Sequence, residues 1–271
     1  MSEFMIKGKR ILITGGSSGL GLAMAQALAA NNQIAIIARN PQKLDEAVAT
    51  ITKGAPGASV KGYSIDVSGP TSQQALSAVA DDMGGLDMLI NSAGILREGY
   101  FAELSDADFR DTMEINFFGT VNAIRAVLPH LKASKGRILN IASIAGITGV
   151  FGYASYCSAK YALMGLSETL RFELADQGVT VQVACPPEFD SPMVDALDKT
   201  RTPENRAHTL TIPKLTIDQC VAGILSGLNS NKLVIIPGLQ TKFLAFSIRH
   251  FSPISRLVGT IKIRAAMRKG R

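Results

Sequence analysis

The run Ile34-Ala35-Ile36-Ile37 holds no polar side chain, and such continuity narrows the possible folds more than any other feature of this chain. A strand with water on one face alternates apolar and polar residues, whereas an unbroken apolar run must be covered on both faces. Similar β-branched or aliphatic runs at residues 10–14, 33–38, 59–66, 86–92, 136–142, 179–184 and 232–236 read as seven strands, separated by longer helical patterns. The expectation is an α/β fold: a doubly wound seven-stranded parallel sheet with helices on both faces and ligands at the C-terminal ends of the strands. A chain of 271 residues, 46% of them hydrophobic, can bury such a core. Residues 1–240 read as the catalytic unit and residues 241–271 as a tail. Residues 190–213, with Pro192, Pro203 and Pro213, form the longest irregular stretch and suggest a substrate lid.

The first strand ends in Thr14-Gly15-Gly16-Ser17-Ser18-Gly19-Leu20-Gly21 and runs into a helical pattern. Gly15 permits a tight turn, Gly19 lets a pyrophosphate approach the backbone, and Gly21 lets the helix pack closely, its N-terminus facing the anion. A glycine cluster can also be only a turn; its place after the first strand of a βαβ unit favours a dinucleotide. The second strand ends in Ala38-Arg39-Asn40-Pro41-Gln42-Lys43, cationic where an NAD-binding chain usually carries an acid. Arg39 with Lys43 suits a ribose 2′-phosphate, so NADPH/NADP+ is expected rather than NADH. The alternative is that both are solvated surface charges. Asp66 and Val67 close the third strand where an adenine would bind, and Asn91, Ala93 and Gly94 close the fourth where the cofactor would cross the sheet.

Asn116, Ser143, Tyr156 and Lys160 make up a proton-handling set suited to ketone–alcohol chemistry. Residues 140–143 read as a strand running into a loop, and the next helix opens at Tyr156. One helical turn stacks Lys160 over Tyr156, and an adjacent ammonium is expected to draw the phenol toward working pH as a general acid or base. Tyr153 has Cys157 four residues on, not a lysine, and is read as packing or substrate wall.

With the turn, residues 91–94, Asn116, Ser143, Tyr156 and Lys160 in this order, the chain resembles the short-chain dehydrogenase/reductase family over roughly residues 8–240. The resemblance implies a Rossmann-type fold. It also implies that Ser143 binds the carbonyl oxygen and that Lys160 binds the nicotinamide ribose. Asn116 would interrupt a long helix, at 106–133, and hold a water leading to Lys160. Pro186 would turn the chain over the nicotinamide, with Ser191 on the carboxamide. Within the family the chain is most similar to reductases of 3-ketodihydrosphingosine (3-oxosphinganine), through residues 149–156, Pro186-Pro187-Glu188-Phe189-Asp190-Ser191-Pro192 and residues 201–206. That implies NADPH-dependent reduction of a long-chain lipid ketone. Glu188 and Asp190 are then either carboxylates near the substrate, Glu188 meeting its ammonium, or solvated loop acids.

The net charge of +6 is unevenly placed: no acidic residue follows Asp218, and nine basic ones do, so the first 218 residues hold 19 basic against 22 acidic groups. From Thr241 the apolar residues recur at partly helical spacing among these cations, which suits a helix in a lipid headgroup layer or packing on a second subunit. A homo-oligomer is expected. Cys157, Cys185 and Cys220 are isolated, with no metal spacing and no disulfide framework. A cytoplasmic location with contact at the membrane surface is therefore expected, as no leader or spanning segment is evident. Other readings are a reductase of a 3-oxoacyl thioester or a steroid, and, in another class, an idle nucleotide sensor or a nucleic-acid binder. The intact catalytic set argues against idleness, and the lack of exposed aromatic platforms argues against nucleic acid.

Overall fold

The computed structural model describes residues 6–211 and 214–269, so Pro213 of the expected lid and Arg271 of the tail lie outside the described residues. The chain runs β1 (Arg10–Thr14), α1 (Gly19–Ala29), β2 (Gln33–Ala38), α2 (Pro41–Gly54), β3 (Ser59–Ser64), α3 (Ser72–Asp82) and β4 (Met88–Asn91). Next come α4 (Asp106–Met113), a π-helical turn (Glu114–Phe118), α5 (Gly119–Ser134), β5 (Arg137–Ile141), α6 (Ala154–Glu173) and β6 (Thr180–Ala184). It finishes with α7 (Pro192–Leu197), α8 (Pro203–Thr209), α9 (Ile217–Leu228), β7 (Val234–Ile235), α10 (Leu239–His250) and α11 (Ser252–Lys269).

All seven strands pair in parallel in the order β3-β2-β1-β4-β5-β6-β7. The period of two sorts neighbouring residues of one strand to opposite faces. Ile11 and Ile13 join α1, α2 and α9 in one buried cluster, while Leu12 joins α3 and α5 in the other. The chain reverses direction across the sheet between β1 and β4, and the crevice at this switch point receives the glycine-rich turn. Thr14 clasps the crevice shut below the turn: its hydroxyl accepts from the amides of Ser92 (3.1 Å) and Ala93 (3.2 Å).

Two helices, α7 and α8, fill most of residues 190–211, where irregular chain was expected. Ser191 caps α7, accepting from the Val194 amide at 3.3 Å, and Thr202 caps α8, accepting from Asn205 at 3.3 Å; Pro192 and Pro203 occupy the first helical positions. Proline fits there because that N–H has no intrahelical partner in any case. The prolines therefore mark helix starts.

Candidate active site

Local backbone demands explain the glycine-rich turn. Gly15 has φ +69°, and a Cβ on it would lie 2.8 Å from the Ala93 backbone; one on Gly21 would lie 2.4 Å from the Gly15 carbonyl. Gly19 is different: a Cβ there would meet no protein atom within 4 Å. Beyond it opens a cavity of about 1430 Å³, which Gly15, Ser18, Gly19 and Leu20 help to line. Ser18 makes no side-chain capping bond to α1, so the first amides of that helix keep their donors for an anion. Donor-rich and open, this turn fits a dinucleotide pyrophosphate. Ser17 lies in the same turn, next to Ser18.

Arg39 and Lys43 are both exposed at the end of β2 and the start of α2, where Asn40 caps the helix by accepting from the Lys43 amide at 2.9 Å. Asp66 accepts from the Ser68 amide and hydroxyl. Burial opposes its charge, but those bonds and the field of Arg39 hold its carboxyl below the usual range. Val67 is buried, and its carbonyl accepts from Asn122. Asn91 donates to Asn140 at 2.8 Å, and Asn140 to Ser167 at 2.9 Å, a fully buried polar ladder under the site. Nothing in the spacing of the sequence marks Asn140 beyond a polar side chain inside an apolar strand.

Ser143, Tyr156 and Lys160 line the cavity, and Asn116 is buried outside its lining. Ser143 leaves β5 in extended conformation, its hydroxyl accepting from the Ala145 amide at 3.2 Å. Lys160 is buried one turn along α6 and donates to the Ile141 carbonyl at 2.8 Å. Gly146 lets the Ser143 loop pack on α6, since a Cβ there would stand 2.8 Å from the Lys160 carbonyl. Asn116 sits in the π-helical turn and clamps the Ile95 backbone, accepting from its amide at 2.7 Å and donating to its carbonyl at 2.9 Å. A Cβ on Gly94 would come within 3.1 Å of Asn116 and 3.8 Å of the Lys160 ammonium, so these three groups adjoin. Tyr153 is buried in the cavity wall and packs edge-on against Tyr156 at 5.8 Å.

Three expectations need correction. The Tyr156 phenol is raised above its ordinary value, not lowered, because burial outweighs the favourable influence of the neighbouring Ser143 hydroxyl. The Lys160 ammonium stands 5.4 Å from the centre of the Tyr156 ring. Second, Glu188 lines the cavity but is committed elsewhere. Arg201 grips its two oxygens at 3.0 and 3.1 Å, and Lys214 adds a third contact at 3.2 Å. Third, Asp190 is exposed and lies outside the cavity lining; its amide pairs with Leu215. Pro186 and Ser191 both line the cavity.

Sequence reading also missed a wall. Residues of α8, α10 and α11, among them His208, Phe246, Arg249 and Arg256, close the far side of the cavity. His208 links the pieces: its Nδ1 accepts from the Phe151 amide at 3.0 Å, and Gly259 of α11 packs against its Nε2 edge. Burial, reinforced by Lys262, lowers its pKa and keeps the ring neutral enough to accept. Among the described residues no cluster of His, Cys, Asp or Glu could hold a metal ion, and no helix is long and apolar enough to cross a membrane.

Known proteins match this architecture. A 3-ketodihydrosphingosine reductase of Dictyostelium discoideum is 32% identical over 95% of this chain and 86% of its own length. A 3-oxoacyl-acyl-carrier-protein reductase of Vibrio cholerae is 34% identical over 73% of this chain and 80% of its own. The solved structure of a short-chain dehydrogenase from Sphingobium yanoikuyae in complex with NADPH superposes with a TM-score of 0.76 at 25% identity, covering 93% of this chain and 95% of that one. The short chain dehydrogenase family profile matches residues 9–202. With the glycine-rich turn at the switch point and Ser143, Tyr156 and Lys160 gathered in one cavity beside it, the chain belongs to the short-chain dehydrogenase family.

Proposed function

We propose that this enzyme uses NADPH to reduce the ketone of 3-oxosphinganine to the alcohol of sphinganine. The observation that carries the substrate is the recurrence of sphingoid-ketone reductases among the relatives, four of them at 30–36% identity over 74–95% of the chain. The cavity agrees with a lipid ketone, since aliphatic and aromatic residues of the lid and tail extend it beyond the catalytic hydroxyls. Turnover of 3-oxosphinganine is expected to exceed that of a 3-oxoacyl thioester when NADPH oxidation is followed; the reverse order would overturn the assignment.

The reducing direction suits the groups present. Arg39 and Lys43 would hold the 2′-phosphate of NADPH laid along the glycine-rich turn, and the bound dinucleotide would supply the hydride. The ketone oxygen sits between the hydroxyls of Ser143 and Tyr156. Ser143 donates a hydrogen bond to the oxygen as negative charge develops there, and Tyr156 transfers its proton to the same atom. A phenol held above its ordinary pKa is fully protonated at neutral pH, which is the form a proton donor needs. Lys160 then faces the phenolate that remains, its charge stabilising it. Replacing Arg39 with Ala is expected to weaken NADPH binding on the order of tenfold or more and leave NADH nearly untouched. An unchanged preference between the two would remove the 2′-phosphate role.

Burial pushes the Lys160 ammonium down to about 8. Its charge is present below that pH and lost above it, so kcat/KM for reduction is expected to fall as pH rises through about 8. The Lys160→Arg variant, whose guanidinium stays protonated, is expected to move this limb upward whatever its absolute rate. A limb at the same pH in both proteins would assign it to another group.

We also propose that the tail docks on an anionic lipid surface. Ile254, Leu257, Val258 and Ile261 fall at i, i+3, i+4 and i+7 of α11 and face solvent, Ile254 and Leu257 at 62% and 59% exposure. Exposed Lys262, Arg264 and Arg268 flank this stripe, and Phe243 of α10 is likewise exposed. Apolar insertion beside cations is the pattern of an interfacial helix. Thr241 and Ala245 are buried, so substitution tests the idea better than truncation. Changing Phe243, Ile254 and Leu257 to Ser is expected to abolish flotation with anionic liposomes while activity on a detergent-dispersed ketone persists. Flotation equal to wild type would count against docking and for a self-associating tail. For the homo-oligomer, Tyr161 and Phe172 support a second contact, standing exposed three turns apart on one side of α6.

A further inference from the structure

The charge lining the cavity is one-sided. Lys160, Lys232, Lys242, Arg249 and Arg256 all border it, with His208 and His250. Glu188 is the one carboxylate among the described lining residues. It is not available to a substrate cation: its side chain is 11% exposed, and its oxygens are held by Arg201 at 3.0 and 3.1 Å and by Lys214 at 3.2 Å. Asp198 completes the network by pairing with Arg201, Lys214 and Arg206, so two carboxylates are matched by at least two fully engaged cations. An ammonium entering this chamber would find no free carboxylate among the described lining residues and only cations beside it, Lys160 buried and Lys232, Lys242, Arg249 and Arg256 exposed, so its partial loss of hydration would go uncompensated.

Resting on the sphingoid reading above, we infer that the cavity takes its amino ketone with an uncharged nitrogen, either as the free base or as an N-acyl amide. The chemistry permits this. A ketone on the neighbouring carbon withdraws electrons from the amine, so the ammonium sheds its proton to water nearer neutrality than an ordinary alkylammonium does. An amide carries no charge at any working pH, and Tyr153, the Tyr156 hydroxyl and the backbone of the lining loops are neutral polar neighbours for it. The network that neutralises Glu188 thus acts as a charge filter, admitting nitrogen in one protonation state.

The full chain can be tested with NADPH and three detergent-dispersed ketones of one chain length: the 2-amino-3-ketone, its N-acetyl amide and the amine-free 3-ketone. At about pH 6 the amide is expected to exceed the amino ketone in kcat/KM by about tenfold or more. Between pH 6 and 7.5 the amino ketone is expected to gain on the amine-free ketone in step with its neutral fraction, by up to about tenfold per pH unit. Lys214→Met, which leaves Glu188 with Arg201 alone, is expected to narrow the gap at pH 6 severalfold. An amino ketone faster at pH 6 than both the amide and the amine-free ketone would overturn the inference, because an ammonium would then be recognised. Turnover of none of the three beside turnover of a 3-oxoacyl thioester would overturn the sphingoid reading itself, and the inference with it.

Discussion

The Tyr156→Phe variant is expected to lose ketone reduction by about 10²–10⁴-fold in kcat while binding NADPH as wild type does. The two parts of this expectation come from separate atoms. Tyr156 lines the cavity beside Ser143, so its hydroxyl carries the proton at stake. Its ring has a different task, packing edge-on against Tyr153 and under the Lys160 ammonium. Phenylalanine keeps the ring and deletes the proton. Single-turnover reduction with saturating NADPH, read beside NADPH fluorescence titration, separates the two; a rate within about tenfold of wild type would mean that the proton comes from elsewhere.

Arg201→Met is expected to do its damage through the lid. The Arg201 side chain is 1% exposed and ties together Glu188 after β6, Asp198 after α7 and Thr209 at the end of α8. Removing one partner from a buried ion network leaves the others uncompensated, at about 3–5 kcal/mol. For a chain of this size that corresponds to a fall in melting temperature on the order of 10 °C. Because the chemistry is not touched, KM for the ketone is expected to rise well before kcat falls. Arg201→Lys, which keeps the charge but not the two-pronged grip, is expected to recover part of the stability and less of the KM. A melting temperature and KM both equal to wild type would show that the lid does not depend on this node.

The sheet was legible because double burial leaves a local trace: a run such as Ile34–Ile37 has no room for a polar residue. The catalytic set was legible for a similar reason, since Tyr156 and Lys160 are neighbours through one helical turn. The errors fall where the deciding partner is remote. Glu188 read as a free acid because Arg201 and Lys214 lie 13 and 26 residues away. Tyr156 read as acidified because spacing brings Lys160 near the ring but cannot show that burial dominates the hydroxyl. In residues 190–213 the local signal was present and was misread, as Ser191-Pro192 and Thr202-Pro203 are N-cap and first-turn pairs. The tail inverts the usual pattern. Its buried residues are small ones, Thr241, Ala245 and Gly259, while Phe243, Ile254, Leu257 and Ile261 face out, so the apolar periodicity there marks an outward face.

The clasp made by Thr14 bears on how ligands come and go. Because its hydroxyl ties the first strand to the amides of Ser92 and Ala93, the two halves of the sheet are bolted together under the glycine-rich turn, and that side of the crevice cannot widen without breaking both bonds. Access to a bound dinucleotide is therefore left to the opposite wall, built from α7, α8, α10 and α11. The exchange rate of cofactor and product should follow the mobility of those helices, and a surface that immobilises the tail would slow release without altering the intrinsic affinity of the turn.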